Sequence, residues 1–174
     1  FGGKGLEYMT APAKLTSGKT DPTVLFAKDI EENIDSVLFP KAQINSFNLS
    51  LNFGYNFSKK FSAGLTIDAV GFSFGKKQSG VYYGNNFATG VLVTAKPTAF
   101  NLLLVSDNDK GSLNSELFAR YRWNDYWGVK LGLQFFFAEY TTNTKVQTTP
   151  GGDMNDRFRK KMAGAGIGVT YNFK

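Results

Sequence analysis

Across residues 46–57 the chain alternates without a break: Phe47, Leu49, Leu51, Phe53, Tyr55 and Phe57 stand at the odd positions, and Ser46, Asn48, Ser50, Asn52, Gly54 and Asn56 at the even ones. Successive side chains of a strand point to opposite faces, so this period of two predicts a β-strand with one greasy face and one polar face. The strand is also long. Soluble strands commonly last about five or six residues, whereas roughly twelve residues at about 3.3 Å each, tilted near 40°, rise on the order of 30 Å, the depth of a bilayer's hydrocarbon.

The pattern recurs down the chain. After the short turn Ser58-Lys59-Lys60, the residues Phe61, Ala63, Leu65, Ile67 and Ala69 alternate with Ser62, Gly64, Thr66 and Asp68, and the parity slips near Gly71 as at a β-bulge. Leu113, Leu117, Ala119, Tyr121 and Trp123 alternate with Asn114, Glu116, Arg120 and Arg122. Beyond Asn124-Asp125, the residues Trp127, Val129, Leu131, Leu133, Phe135 and Phe137 alternate with Gly128, Lys130, Gly132, Gln134 and Phe136. The final segment sets Ala163, Ala165, Ile167, Val169, Tyr171 and Phe173 against Gly164, Gly166, Gly168, Thr170 and Asn172. Weaker strands are expected at 88–96 and 98–105, with Pro97 marking the turn between them.

Connection lengths alternate too. Short turns fall at 58–60, 96–98 and 124–126, and longer polar loops at 75–87, 106–112 and 142–157. An up-and-down barrel threaded through a membrane has tight periplasmic turns and long outer loops. An even strand count then requires an ascending strand before residue 40, placed near 4–15. The fold expected is all-β, one domain over 1–174: an eight-stranded antiparallel up-and-down transmembrane β-barrel with short periplasmic turns and longer outer loops. Residues 1–43 would supply the first strand and a long outer loop. Within that loop Ile30, Ile34, Val37 and Leu38 share a helical face, Asp29 can cap, Glu32 stands three residues later and Pro40 ends the run, which predicts a short helix over 29–38.

Aromatic residues gather where interfaces are expected. Phe57, Phe61, Trp123, Tyr126, Trp127, Tyr171 and Phe173 fall on one edge as a periplasmic girdle, and Tyr82, Tyr83, Phe87, Tyr140 and Phe158 on the other. From residue 44 to the end the chain resembles the small eight-stranded outer-membrane barrels of the OmpX and OmpA transmembrane-domain type. The likeness rests on strand length, turn alternation and the ending Val169-Thr170-Tyr171-Asn172-Phe173, followed here by Lys174. In those families such a last strand looks like the signal read by the barrel assembly machinery, so the resemblance implies residence in the outer membrane of a Gram-negative bacterium. It transfers no specific activity.

Composition narrows the chemistry. The 174 residues include no cysteine and no histidine, and carry a formal charge of +6. Without histidine the commonest general base, the commonest neutral metal ligand and the Ser-His-Asp triad are all absent. No run of about eighteen apolar residues offers a transmembrane helix, and no signal peptide opens the chain. Because Phe1 is not methionine, the chain reads as processed or trimmed. The mean hydropathy of −0.23 is compatible with a membrane barrel, whose lipid-facing and interior residues cancel in any average.

The polar face carries Asp68, Glu116, Arg120, Arg122 and Lys130, expected as an ion-paired plug filling a narrow lumen. Lys76, Lys77, Arg157, Arg159, Lys160 and Lys161 fall on the expected outer side, where cations can meet lipopolysaccharide phosphates or simply stand in water. Asp107-Asn108-Asp109-Lys110-Gly111 has carboxylates at alternate positions, but Phe118 stands where a calcium loop needs its bidentate glutamate, so a polar turn explains it. No metal or cofactor is expected. The scattered charge gives no nucleic-acid surface. The expected partners are outer-membrane lipid and lipopolysaccharide, the assembly machinery during biogenesis, and other envelope proteins. The leading expectation is a non-enzymatic barrel with an envelope-structural or surface-interaction role. The alternatives are a soluble lipocalin-like carrier of an apolar ligand, with the greasy face inward, and a lipid-modifying outer-membrane enzyme. A polar face rich in Asn, Ser and Gly rather than Lys and Glu favours the membrane.

Overall fold

The alternating segments pair antiparallel into one ten-stranded sheet in the computed structural model, which describes residues 1–84, 89–104 and 108–173, and of Leu25 the backbone alone. Its strands are β1 (Gly2–Thr10), β2 (Ser36–Gln43), β3 (Asn45–Asn56), β4 (Phe61–Phe74), β5 (Gln78–Tyr83), β6 (Val91–Pro97), β7 (Phe100–Leu102), β8 (Leu113–Arg122), β9 (Trp127–Thr142) and β12 (Arg157–Tyr171). Two short strands, β10 (Gln147–Thr148) and β11 (Met154–Asn155), make a separate hairpin. Between β1 and β2 the chain forms a one-turn helix, α1 (Ala13–Thr16), and two 3-10 turns.

Strands β12, β1, β2, β5, β6 and β9 follow one another by pairing, and β9 returns to β12, so a partial ring of six strands closes. We call this the upper storey. Below it β3, β4, β8, β9 and β12 continue the wall as a curved sheet that ends at the turns 58–60 and 124–126. The β3–β4 register carries a bulge where Leu49 faces Val70 and Ser50 faces Asp68, leaving Ala69 extra, two residues before the parity slip visible in the sequence.

The strand count departs from the eight expected because Pro97 does not reverse the chain. β6 is antiparallel to β5, β7 to β4, and β8 to β4, so the three run the same way along one line. An excursion through Lys110, whose backbone exchanges hydrogen bonds with Leu102, interrupts that line without turning it back. Ala88 and Val105, at the far ends of the two weaker strands, lie outside the described residues. The helix expected over 29–38 is also corrected. Only Glu31–Asn33 coils, as a 3-10 turn, and Ser36–Gln43 is extended between β1 and β5. Val37 fits a helical face but also alternates with Phe39, and the two ladders that these residues join outweigh local periodicity.

The two storeys have opposite insides. Tyr8, Val37, Phe39, Ala42, Ile44, Tyr82, Val93, Ala95, Ala138, Tyr140 and Phe158 form the buried core of the upper ring. In β2 the buried parity changes from Val37 and Phe39 to Ala42 and Ile44, across Pro40. The register places Pro40 opposite Gly5, whose φ of 59° is a left-handed conformation open to glycine at little steric cost. Tyr82, Tyr140 and Phe158 are therefore core residues and not an outward girdle. Tyr83 is exposed, and Phe87 lies outside the described residues.

Candidate functional site

In the lower storey the greasy face points out. Phe47, Leu49, Leu51, Phe53, Leu65, Leu117, Leu131, Leu133, Phe135, Ile167 and Val169 are all exposed, from 39% at Leu65 to 76% at Ile167. The register aligns Leu51 with Ile67, Leu117 with Leu133 and Ile167 with Leu131, so these side chains cover one continuous wall. Small residues Ala63, Ala119 and Ala165 floor a shallow hollow of about 530 Å³ between Leu117, Leu131 and Leu133. Exposed apolar patches on soluble monomers are usually confined to a few hundred Å².

The opposite face holds the interior charges. Asp68 is buried and accepts hydrogen bonds from Asn48 Nδ2 at 2.7 Å, Ser50 Oγ at 2.6 Å and the Asn114 backbone N–H at 2.9 Å. All of its donors come from strands that alternate in phase with it. Glu116 is ion-paired with Lys130 across the β8–β9 ladder. Lys130 also lies 4.8 Å from the Phe118 ring centroid and Arg120 5.5 Å from it, a cation–π arrangement on both counts. Glycine makes room for the pair: a Cβ on Gly132 would sit 2.4 Å from Glu116 Oε1, and one on Gly64 2.7 Å from Phe118 Cζ. Arg120 and Arg122 share this face, and the buried Nε of each has no hydrogen-bond partner among the described residues. Of the five charges expected inside, the structure thus joins Glu116 with Lys130, sets Arg120 against their shared ring and leaves Asp68 in its own polar cage.

A second charged cluster escaped the sequence reading. Glu139 is fully buried and accepts from Arg157 Nε at 2.8 Å, Arg157 Nη2 at 3.0 Å, Arg159 Nη2 at 2.9 Å and the Gly111 N–H at 3.1 Å. The carbonyl of Asp109 accepts from both guanidiniums, and Arg159 stacks 5.4 Å from the Phe137 ring. Its signal was a lone carboxylate in the greasy run Phe135-Phe136-Phe137-Ala138-Glu139-Tyr140. Arg157 and Arg159 are thereby engaged inside the protein instead of facing an outer phosphate layer, while Lys76, Lys77 and Lys161 are exposed and Lys160 is half-buried. Asp109 Oδ1 accepts from the Leu104 N–H at 2.6 Å, and Asp107 lies outside the described residues. No group of three acidic, histidine or cysteine side chains suited to a metal occurs among the described residues.

The aromatic residues expected as a girdle gather at the lower end. Phe57 and Phe61 are 5.5 Å apart by ring centroid, Tyr126 stacks on Tyr171 at 6.2 Å, Trp127 meets Tyr171 at 4.9 Å and Tyr171 meets Phe173 at 5.0 Å. Trp123 is exposed on the same turn as Tyr126. Comparison with known proteins found no matching family model, no matching curated protein and no matching solved structure.

Proposed function

We propose that this chain is a non-enzymatic β-barrel protein of the Gram-negative outer membrane, with a filled interior and an envelope-structural or surface-interaction role. The observation that carries the reading is the exposed wall from Phe47 through Leu133 to Ile167 set against an interior of Asp68, Glu116 and Lys130. Water on that wall is unfavourable, and hydrocarbon is the environment that relieves it over so wide an area. The soluble-carrier alternative needs the greasy face inward, and in the lower storey it faces outward. Aromatic rings at the end of the two tight turns suit a headgroup boundary. Lipid and lipopolysaccharide are the surrounding partners, with the exposed Lys76 and Lys77 able to approach phosphate. The barrel assembly machinery would place the protein there.

A non-enzymatic reading fits the state of the carboxylates. Asp68, Glu116 and Glu139 are each held by donors of the protein itself, and no histidine is present to serve as base. The eight-strand count belongs to the resemblance; the upper storey is a partial ring of six strands and the wall below it has five. The test is preparation with and without detergent, followed by gel migration before and after boiling. Heat-dependent migration of a detergent-solubilised species is the expected result. A monodisperse species made without detergent overturns the placement.

A further inference from the structure

One side of the lower storey is open. Among the described residues β3 pairs along one edge only, with β4, and β12 from Lys160 downward pairs along one edge only, with β9. Nearly every side chain on both faces of β3 is exposed, and a Cβ built on Gly164, Gly166 or Gly168 of β12 meets nothing within 4 Å. Free edges of this length are templates for another strand, and in a hydrocarbon surround their unpaired backbone groups have no water to satisfy them.

Direction decides what fits. Adjacent strands along the path β3–β4–β8–β9–β12 are all antiparallel, so β3 and β12 run the same way and cannot close antiparallel on each other. A single strand running oppositely between them pairs antiparallel with both. In the upper storey β1 is that strand: Met9 faces Arg159 of β12, and Gly2 faces Gln43 of β2. The Phe1 nitrogen then donates to the Ile44 carbonyl at 2.7 Å, the rung immediately above β3. A second copy standing the same way up offers β3 only parallel contact with β12, and leaves its own far edge open.

Resting on the membrane placement proposed above, we infer that the open side takes one strand of about ten residues joined to Phe1, continuing β1 downward between β3 and the part of β12 from Gly168 onward. Its outward side chains extend the apolar wall. Its inward ones face β8 across the interior, because β8 lies midway along the path from β3 to β12, and β8 carries Arg120 and Arg122 with their unpartnered Nε groups. Hydrogen-bond acceptors suit the inward positions.

The absence of cysteine allows a direct test. A ten-residue segment alternating leucine with serine or threonine is fused to Phe1 of the full chain, and the same segment with proline at alternate positions serves as control. Seven rungs beyond Ile44 is Leu51, so a cysteine at the seventh fused residue counted back from Phe1 is paired with Leu51→Cys. The expected result is disulfide formation in the alternating fusion and not in the proline fusion. Backbone amides of β3 and of β12 from Gly168 onward, the positions that the Met9–Arg159 register brings opposite the added segment, exchange at least roughly tenfold more slowly than in the unfused chain, in the same detergent. Three outcomes overturn the inference: protection of neither edge or of one alone, equal behaviour of the proline fusion, or protection of the unfused chain that rises with protein concentration, the mark of a second copy. The readout concerns edge pairing, so its failure is distinct from a failure of heat-dependent migration.

Discussion

Glu139 and Arg159 stand directly opposite one another on β9 and β12, and the carboxylate takes two hydrogen bonds from the guanidinium, 3.1 Å from Nε and 2.9 Å from Nη2. Neither side chain exceeds 1% exposure. Taking away one partner of a buried pair strands the other charge, so Glu139→Ala is expected to lose about 3–5 kcal/mol. Glu139→Gln keeps one acceptor and loses less. Denaturant unfolding measures both, and an alanine variant as stable as the parent would remove the cluster from any structural role.

Asp68 is the shared acceptor of Asn48, Ser50 and the Asn114 N–H. Asp68→Ala leaves Ser50 Oγ and the Asn114 N–H without this acceptor, while Asn48 Nδ2 keeps the Ser112 carbonyl, with an expected loss of about 1–3 kcal/mol. The paired variant Asp68→Asn retains a single accepting oxygen and should fall between. If alanine proves milder than asparagine in the same unfolding experiment, the cage is not held by the carboxylate.

Leu133 separates the membrane reading from a soluble one. It is half exposed, and in water Leu133→Arg replaces an unfavourable contact with a favourable one. In a bilayer the same change is expected to weaken folding into lipid vesicles by about 2–4 kcal/mol if the site lies near the midplane. A variant that folds into vesicles as well as the parent argues against lipid on this wall.

Glycine tolerance should divide along the sheet. A Cβ at Gly64 would meet the Phe53 carbonyl at 2.2 Å and Phe118 Cζ at 2.7 Å, whereas one at Gly166 meets nothing. Gly64→Ala is therefore expected to destabilise by about 1–3 kcal/mol, and Gly166→Ala to be near neutral. Equal melting of the two variants in the same detergent would contradict the packing described.

The Asp21 carboxylate accepts from Thr23 Oγ1 at 2.5 Å and from the Thr23 N–H at 2.8 Å, and these bonds, with a smaller pull from Lys19, hold its pKa below the ordinary value. The folded pKa lies under the unfolded one, so this cap is fully formed above the ordinary carboxylate range and is lost as pH falls through the folded value. Thr23→Val removes the largest of the causes. The Asp21 titration followed by NMR should then move upward, and an unmoved midpoint would assign the depression elsewhere.

The strands β3, β4, β8, β9 and β12 were legible because one face is greasy and the other polar over a dozen residues or so, a pattern with a single structural solution. Asp68, Glu116 and Lys130 lie on the polar positions of the same alternation. β2 was not, because Ile30, Ile34, Val37 and Leu38 satisfy a helical spacing while Val37 and Phe39 also alternate, and only the ladders with β1 and β5 decide between them. Pro97 reads as a turn, yet it ends β6 opposite Tyr140 and the chain continues in the same direction. Arg157 and Arg159 look like free basic residues until Glu139, eighteen and twenty positions away, is brought against them.

The exchange of inner and outer chemistry near Pro40 fixes more than packing. On β9 one face passes from exposed Leu131, Leu133 and Phe135 to buried Glu139, while the other passes from polar Lys130 and Gln134 to buried Tyr140. In a bilayer, sliding the molecule inward would drag Glu139 and its arginines toward oil, and sliding it outward would lift Leu49 and Phe135 into water. Under the proposed placement in a bilayer the sheet carries its own waterline, and the span from Pro40 down to the Trp127 rim sets the hydrocarbon thickness that it fits.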